Sequence, residues 1–382
     1  MTKIRNIFSI FVSRLDLTGD FMSYIPEDAC LQLLGTQKST SIYQLQAVGL
    51  SNRYYIVSGE GTRHLMASPE VVGYESYLSM TPSTTAALRY FSEQGLASEV
   101  DILTILRGGL NYPLEECCYK AGVRVPNMNF ISCERKIENG VITGLDIKYE
   151  KLHIAKDITL MIGDIIASGD TLRLCLTQVI DRFRRRGGSL RRIIFFTVGG
   201  TKAIPLMERF TVEIRQLFPE FEGFHCVFYE GIFTVYEDKG VTGINIPDID
   251  FGWRGGIVSP EFRHYVLSFL EDALFEKCII YDGGARRYEI PVHYEEVMDY
   301  WESLLAAAPG VDFPAFIAEK IGYRRPVDYE QWRRICGYQL LDVRKLYELE
   351  QHYLDLLEGR TLEEICRRRI REIRENLGKY IQ

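Results

Sequence analysis

Short apolar runs alternate with stretches of helical periodicity through the middle of this chain. Val100-Asp-Ile-Leu-Thr-Ile-Leu106, Ile158 to Ile162, Ile193 to Val198 and His225 to Tyr229 have the length and continuity of strands buried on both faces of a sheet. Between them lie helix patterns. One follows Thr81-Pro-Ser-Thr84, where hydroxyl caps and Pro82 precede Ala86, Leu88, Tyr90 and Phe91. Others begin near Pro113, carry Leu172, Leu176, Val179 and Ile180 at helical spacing, or run from Thr201 to about Phe218. Strands alternating with helices predict an α/β domain built on a parallel sheet.

The flanks read differently. Residues 1–60 mix short apolar pieces with turn-formers such as Gly19, Pro26, Gly35 and Gly49, and are expected to form an N-terminal extension packed on the main domain. Cys133 to Tyr149 carries many charges around Asn139-Gly140, a hairpin turn signal, and fits either a flap or an inert protrusion. Gly240 to Gly256 is a glycine-dense loop offering Asp248, Asp250, Phe251, Trp253 and Arg254 to a pocket, or a structural Ω-loop. From about Pro260 the pattern is helical, with linkers expected at Gly283-Gly284 and near Pro291, and Thr361-Leu-Glu-Glu364 is a capping box opening the last helix. The expected units are therefore 1–60, an α/β domain over 61–284, and a C-terminal helical region over 285–382.

Composition narrows the class. A hydrophobic content of 46% with 25% charged residues suits a globular chain, and the net charge of −7 gives no overall attraction for nucleic acid. Arg182, Arg184, Arg185, Arg186, Arg191 and Arg192 form a local basic cluster that a helix C-terminus explains more simply than a nucleic-acid patch. The nine cysteines show no Cys-x-x-Cys pair, so neither a zinc knuckle nor a disulfide framework is indicated and a reducing cytoplasm is the expected location. The apolar piece Ile4 to Val12 is short, ends at Arg14 and lacks a cleavage pattern, so it is not expected to be a signal segment; no membrane span is expected either.

Candidate chemistry sits where two of the strands end. Leu160 to Leu172 passes from an apolar run through Asp164 to Ala167, Ser168, Gly169, Asp170 and Thr171, and then into a helix pattern. Such a junction aims unpaired N–H groups and the positive end of a helix dipole at one point, which makes it an anion cradle. It is neither a Walker loop nor a dinucleotide turn. After the strand ending at Leu106, Arg107-Gly108-Gly109 supplies a cation and two glycines, which fits a ligand loop or a plain strand-to-helix turn.

Taken together, these pieces resemble the type I phosphoribosyltransferases, with the motif pattern nearest the uracil branch. Ile162-Gly-Asp-Ile-Ile-Ala-Ser-Gly-Asp-Thr171 is similar to that family's signature, Leu106 to Leu110 to its pyrophosphate loop, Cys133 to Leu152 to its flexible hairpin, and Ile246 to Gly252 to its base-recognising hood. The order agrees across roughly Thr81 to Gly256. The resemblance implies transfer of ribose 5-phosphate from phosphoribosyl pyrophosphate to a nitrogenous base, uracil-like or otherwise non-purine, with release of pyrophosphate. Asp164 would hold the ribose hydroxyls, Arg107 and Arg135 would face the leaving group with Gly108 and Gly109, and Ala167, Ser168, Gly169, Asp170 and Thr171 would hold the 5′-phosphate. Ile249, Asp250, Phe251 and Gly252 would line the base pocket. The resemblance further implies Mg²⁺ held mainly by substrate and water, with no direct protein ligand set, and a homodimer. Two positions depart from the family pattern: Gly163 replaces the first of two acids, and Asp170 places a carboxylate in the phosphate loop. They leave open a regulator on the same fold that binds phosphoribosyl pyrophosphate or a nucleotide without turnover.

Overall fold

The computed structural model describes residues 25–380 except 107, 139–140, 167–168, 236–239, 245–250, 269–272 and 277–282. The apolar piece Ile4 to Val12 therefore lies outside the described residues.

A ten-stranded sheet runs through the protein. Its strands are β1 (Cys30–Gln37), β2 (Thr40–Gln46), β3 (Arg53–Ser58), β4 (Asp101–Leu106), β5 (Met128–Glu138), β6 (Val141–Lys151), β7 (Ile158–Gly163), β8 (Leu190–Gly200), β9 (Gly223–Val235) and β10 (Phe251–Val258). They lie in the order β1-β2-β3-β9-β8-β7-β4-β5-β6, with β10 on β9. From β3 to β5 every pairing is parallel, as the alternating pattern predicts. The antiparallel pairs are β1–β2, β2–β3, β5–β6 and β9–β10. Residues 30–58, expected as an extension packed on the domain, thus continue its sheet.

Helices α1 (Glu60–Ala67), α2 (Tyr74–Glu93), α3 (Leu114–Ala121), α4 (Asp170–Arg185) and α5 (Ala203–Leu217) connect and cover these strands. In α4 the buried positions Leu172, Cys175, Leu176, Val179, Ile180 and Phe183 form one face at helical spacing, so burial of that stripe against the sheet fixes the helix. Helix α2 differs from expectation. It starts at Tyr74 and runs through Pro82 instead of beginning there. The ring removes one interior hydrogen bond, and the hydroxyls of Thr81 and Thr84 bond back to the carbonyls of Tyr77 and Met80 on the same turns.

Seven further helices complete the described chain: α6 (Pro260–Ser268), α7 (Gly283–Tyr288), α8 (Ile290–Ala307), α9 (Phe313–Ile321), α10 (Tyr329–Cys336), α11 (Arg344–Leu357) and α12 (Leu362–Leu377). Gly283-Gly284, expected as a linker, opens α7, whose Arg286 is buried and donates to the carbonyls of Val71 and Ser68. The capping box at Thr361 and Glu364 is present at the start of α12. These helices share a continuous core with the sheet. Their firmest link is Arg263 of α6, fully enclosed, which donates to both oxygens of Glu350 on α11 at 2.7 and 2.9 Å while Tyr323 and Trp332 donate to the same carboxylate.

One residue explains how β9 serves two partners. His225 to Tyr229 pair with β3, whereas Gly231 to Val235 pair with β10, and Glu230 between them takes a left-handed φ of 64°. Its carboxylate is buried and receives hydrogen bonds from Ser58 Oγ, Gly59 N, Thr62 Oγ1 and Ser259 Oγ, so the ends of β3 and β10 are tied at that kink.

Candidate functional site

The strand order fixes where a ligand crevice opens. From β4 the chain goes to β5 on one side, then crosses back to β7 on the other, so β4 and β7 flank the point where the direction of winding reverses. In open parallel sheets the crevice lies outside the carboxyl ends of such a strand pair. The two segments leaving those ends are the two candidate loops.

They pack closely against each other. A Cβ placed on Gly108 would stand 2.6 Å from Asp164 Oδ1, and one on Gly109 would stand 3.1 Å from Thr104 Cγ2 and 3.2 Å from the carbonyl oxygen of Gly163. A side chain at 108 would have to displace the Asp164 carboxyl. Arg107, the cation proposed for this loop, lies outside the described residues.

Asp164 is held from its own backbone side. Ile165 N–H donates to Oδ1 at 2.8 Å, and the Asp164 N–H donates to Phe196 O at 3.1 Å, continuing the ladder toward β8. Burial of the carboxyl pushes its pKa up to about 7, only partly opposed by the Ile165 N–H. Among the described residues the Ile165 N–H is the donor to this carboxyl, which has further lone pairs that a ligand's hydroxyls could use. Beyond it, Ile166 pairs with β8 through Ile166 N to Val198 O at 3.2 Å and Gly200 N to Ile166 O at 2.9 Å.

The chain then turns into α4. Ala167 and Ser168 lie outside the described residues. Gly169 is the N-cap with a left-handed φ of 78°, and a Cβ there would stand 2.6 Å from Leu206 Cδ2, so both conformation and space require glycine. Asp170 is the first residue of α4, and Thr171 follows half-buried. Gly169 itself brings no side chain to the first turn, where N–H groups and the positive end of the helix dipole point toward the loop.

Gly163, where a second acid would stand, is closed off from below. A Cβ there would meet Tyr112 Cβ at 2.5 Å and Cγ at 2.6 Å. Tyr112 is buried, and its hydroxyl accepts from Val198 N at 3.1 Å, so its ring bridges β7 and β8 under the crevice floor. Sequence reasoning missed this residue, because the contact joins positions with no shared pattern.

The hairpin predicted around Asn139-Gly140 is formed by β5 and β6, with the turn itself outside the described residues. β5 pairs with β4 over Met128 to Ser132 and then leaves the sheet edge paired only with β6. Arg135 lies on that projecting part, opposite Leu145. Of the expected hood, Ile249 and Asp250 lie outside the described residues. Phe251 opens β10 opposite Val235, and Gly252 pairs with Thr234. Part of the glycine-dense loop is thus strand, since Phe251 to Val258 pair along β9 with a register shift.

The arginine cluster is committed to ion pairs. Arg182 and Arg186 reach Glu150, Arg184 and Arg185 reach Asp181, and Arg191 and Arg192 reach Glu222. Arg192 is also buried and donates to the Leu96 carbonyl at 2.8 Å. No helix among the described residues is long and apolar enough to cross a membrane. Among the described residues no group of three or more His, Cys, Asp or Glu is arranged to hold a metal ion. A carboxylate such as Asp164 is the kind of oxygen ligand that Mg²⁺ takes at phosphate sites, alongside ligand oxygens and water.

No protein-family model matches the chain, and no curated protein sequence matches it. Similar solved structures include the AQ2163 protein from Aquifex aeolicus, with 14% identity and a TM-score of 0.34 over 50% of this chain and 88% of that one. A hypoxanthine-guanine phosphoribosyl transferase from L. donovani shares 16% identity with a TM-score of 0.26 over 35% and 78% of the two chains. A purine phosphoribosyltransferase from Pyrococcus horikoshii shares 18% with a TM-score of 0.22 over 30% and 72%. These likenesses are too distant to decide the chemistry of this chain.

Proposed function

We propose that the protein is a Mg²⁺-dependent phosphoribosyltransferase that moves ribose 5-phosphate from phosphoribosyl pyrophosphate to a nitrogenous base, releasing pyrophosphate. The observation that carries this reading is the contact of Gly108 with Asp164 at the carboxyl ends of β4 and β7. A glycine pair, Asp164 and the N-terminus of α4 with its glycine N-cap would then share one crevice. The first turn of α4, with Ala167, Ser168, Gly169, Asp170 and Thr171, would hold the 5′-phosphate. Asp164 would accept hydrogen bonds from the ribose hydroxyls, and the Arg107-Gly108-Gly109 loop would face the pyrophosphate.

Attack by a base nitrogen on the anomeric carbon breaks its bond to pyrophosphate, so positive charge grows on the sugar and negative charge on the leaving group. Asp164 stands on the sugar side and opposes the first; Arg107 and Arg135 would oppose the second. Anchoring at the phosphate and the base aligns nucleophile and leaving group, while the β5–β6 hairpin would cover the crevice and exclude water. Mg²⁺, when bound, would neutralise the pyrophosphate oxygens. Ile249, Asp250, Phe251 and Gly252 would select the base, and the absence of an acid at Ala167 favours a uracil-like or other non-purine acceptor. The expected homodimer and cytoplasmic setting belong to the same reading.

Tyr112 favours a second reading. It fills the space beneath Gly163, so the site carries one acid where the resembled family often carries two, which suits a regulator that binds phosphoribosyl pyrophosphate or a nucleotide without turnover. Pyrophosphate release assayed with a panel of pyrimidine and purine bases separates the two, with Asp164→Ala as the inactive control. Donor binding in a calorimeter with no release for any base would overturn the transferase and leave the regulator.

A further inference from the structure

Two cysteines 42 residues apart in the chain meet between the β5–β6 hairpin and helix α4. Cys133 is the first residue of β5 beyond its pairing with β4, at a register shift in the hairpin between Ser132 and Cys133. Cys175 lies in the second turn of α4, the helix that opens at the candidate phosphate loop. Their Sγ atoms are 3.2 Å apart, with the Cys175 thiol donating to Cys133. Cys175 is fully buried and Cys133 half-buried, so one sulfur is reachable from solvent and the other waits behind it. The Cys175 hydrogen bond pulls the Cys133 thiol below its ordinary pKa, while the same contact and burial push Cys175 up. The charge of Asp164 also pushes the Cys175 thiol up.

We infer that Cys133 and Cys175 are a redox modification site at which a peroxide joins the hairpin to helix α4 through a disulfide. The Cys133 thiolate attacks one peroxide oxygen, breaking the O–O bond, and leaves as a sulfenic acid while the other oxygen departs as hydroxide. The Cys175 sulfur then attacks that sulfenic sulfur, and its proton leaves with the hydroxyl as water. The sum is two thiols and one hydrogen peroxide giving one disulfide and two waters, with the two electrons passing from the sulfurs to the peroxide. A disulfide of about 2.05 Å requires the sulfurs to approach by about 1.2 Å, and the register shift at Cys133 is where the strand can yield. The link closes the chain from 133 to 175 and fixes the base of the hairpin against the first turns of α4. Its effect on ligand traffic rests on the phosphoribosyl reading of the crevice; the modification itself does not.

The test uses the full-length protein treated with equimolar hydrogen peroxide, then alkylated and mapped by mass without reduction. The expected product is a peptide pair joined at 133 and 175, two hydrogens lighter, released by a dithiol and absent from Cys133→Ser and Cys175→Ser. Cys175→Ala serves if the serine variant fails to fold. Hydrogen exchange over 133–151 should slow in the linked form by severalfold. Oxidation of Cys133 to sulfinic acid without a link, or both thiols still alkylated after treatment, overturns the site. Phosphoribosyl pyrophosphate titrated into the reduced protein reads the crevice separately: a link without donor binding upholds the modification and removes the phosphoribosyl reading.

Discussion

Replacing Asp164 by asparagine should stabilise the protein without ligand, and only at high pH. The carboxyl is raised from its ordinary 3.8 to about 7 by burial. A group raised in this way favours the folded state most when both states are protonated, below 3.8, and this advantage is lost as the pH rises through about 7. The separation corresponds to about 4 kcal/mol at about 1.4 kcal/mol per tenfold, and local relaxation and water entry should reduce what is observed to about 1–3 kcal/mol. Asparagine keeps an acceptor for the Ile165 N–H and removes the charge. Urea unfolding of both proteins should therefore show no difference near pH 4 and a more stable variant near pH 8, by about 1–3 kcal/mol. A difference that is the same at both pH values would mean that the carboxylate is already compensated, and would refute the incomplete acid on which the site rests. The same reasoning ties to function: donor hydroxyls that complete the hydrogen bonding should bring the carboxyl back down, so binding near pH 7 should release protons, read as a dependence of calorimetric heat on the buffer.

Gly163→Ala should destabilise by about 1–3 kcal/mol through overlap with the Tyr112 ring, measured by urea unfolding, and an unchanged midpoint would mean that the ring moves freely. Gly108→Ala should leave stability within about 1 kcal/mol, since the crowding is against a side chain. It should nonetheless weaken phosphoribosyl pyrophosphate binding at least about tenfold by displacing Asp164; wild-type affinity would dissociate that contact from the ligand. Glu350→Gln should cost about 3–5 kcal/mol because it strands the buried Arg263, and the double change Arg263→Met with Glu350→Leu should recover much of that loss in the same unfolding assay.

The parallel strands were legible because each is a continuous apolar run, and α4 because Leu172, Leu176, Val179 and Ile180 repeat on one face. The phosphate-loop reading followed from the same local grammar: a strand, small residues, then a helix. Pro82 misled because a proline near a Thr/Ser pair is a good start signal, whereas here tertiary packing carries α2 through it from Tyr74. The first three strands were obscured since β1 alternates weakly, with Leu33 exposed and a register shift at Gly35. Tyr112 beneath Gly163, and Cys133 against Cys175, depend on contacts between segments far apart in sequence, and no local pattern encodes them. Glu230 did leave a trace: a carboxylate followed by glycine at the end of an apolar run is costly unless donors await it, and four do.

That kink at Glu230 limits how the gene can be cut. A fragment beginning at residue 61 would lose Ser58 and Gly59, two of the four donors, and expose the β9 edge from His225 to Tyr229 that β3 now covers. An uncovered central strand of this kind invites pairing with other chains. Expression boundaries drawn around the motif-bearing middle alone would therefore yield a sticky, aggregation-prone product, and the working unit for any assay has to carry its first three strands with it.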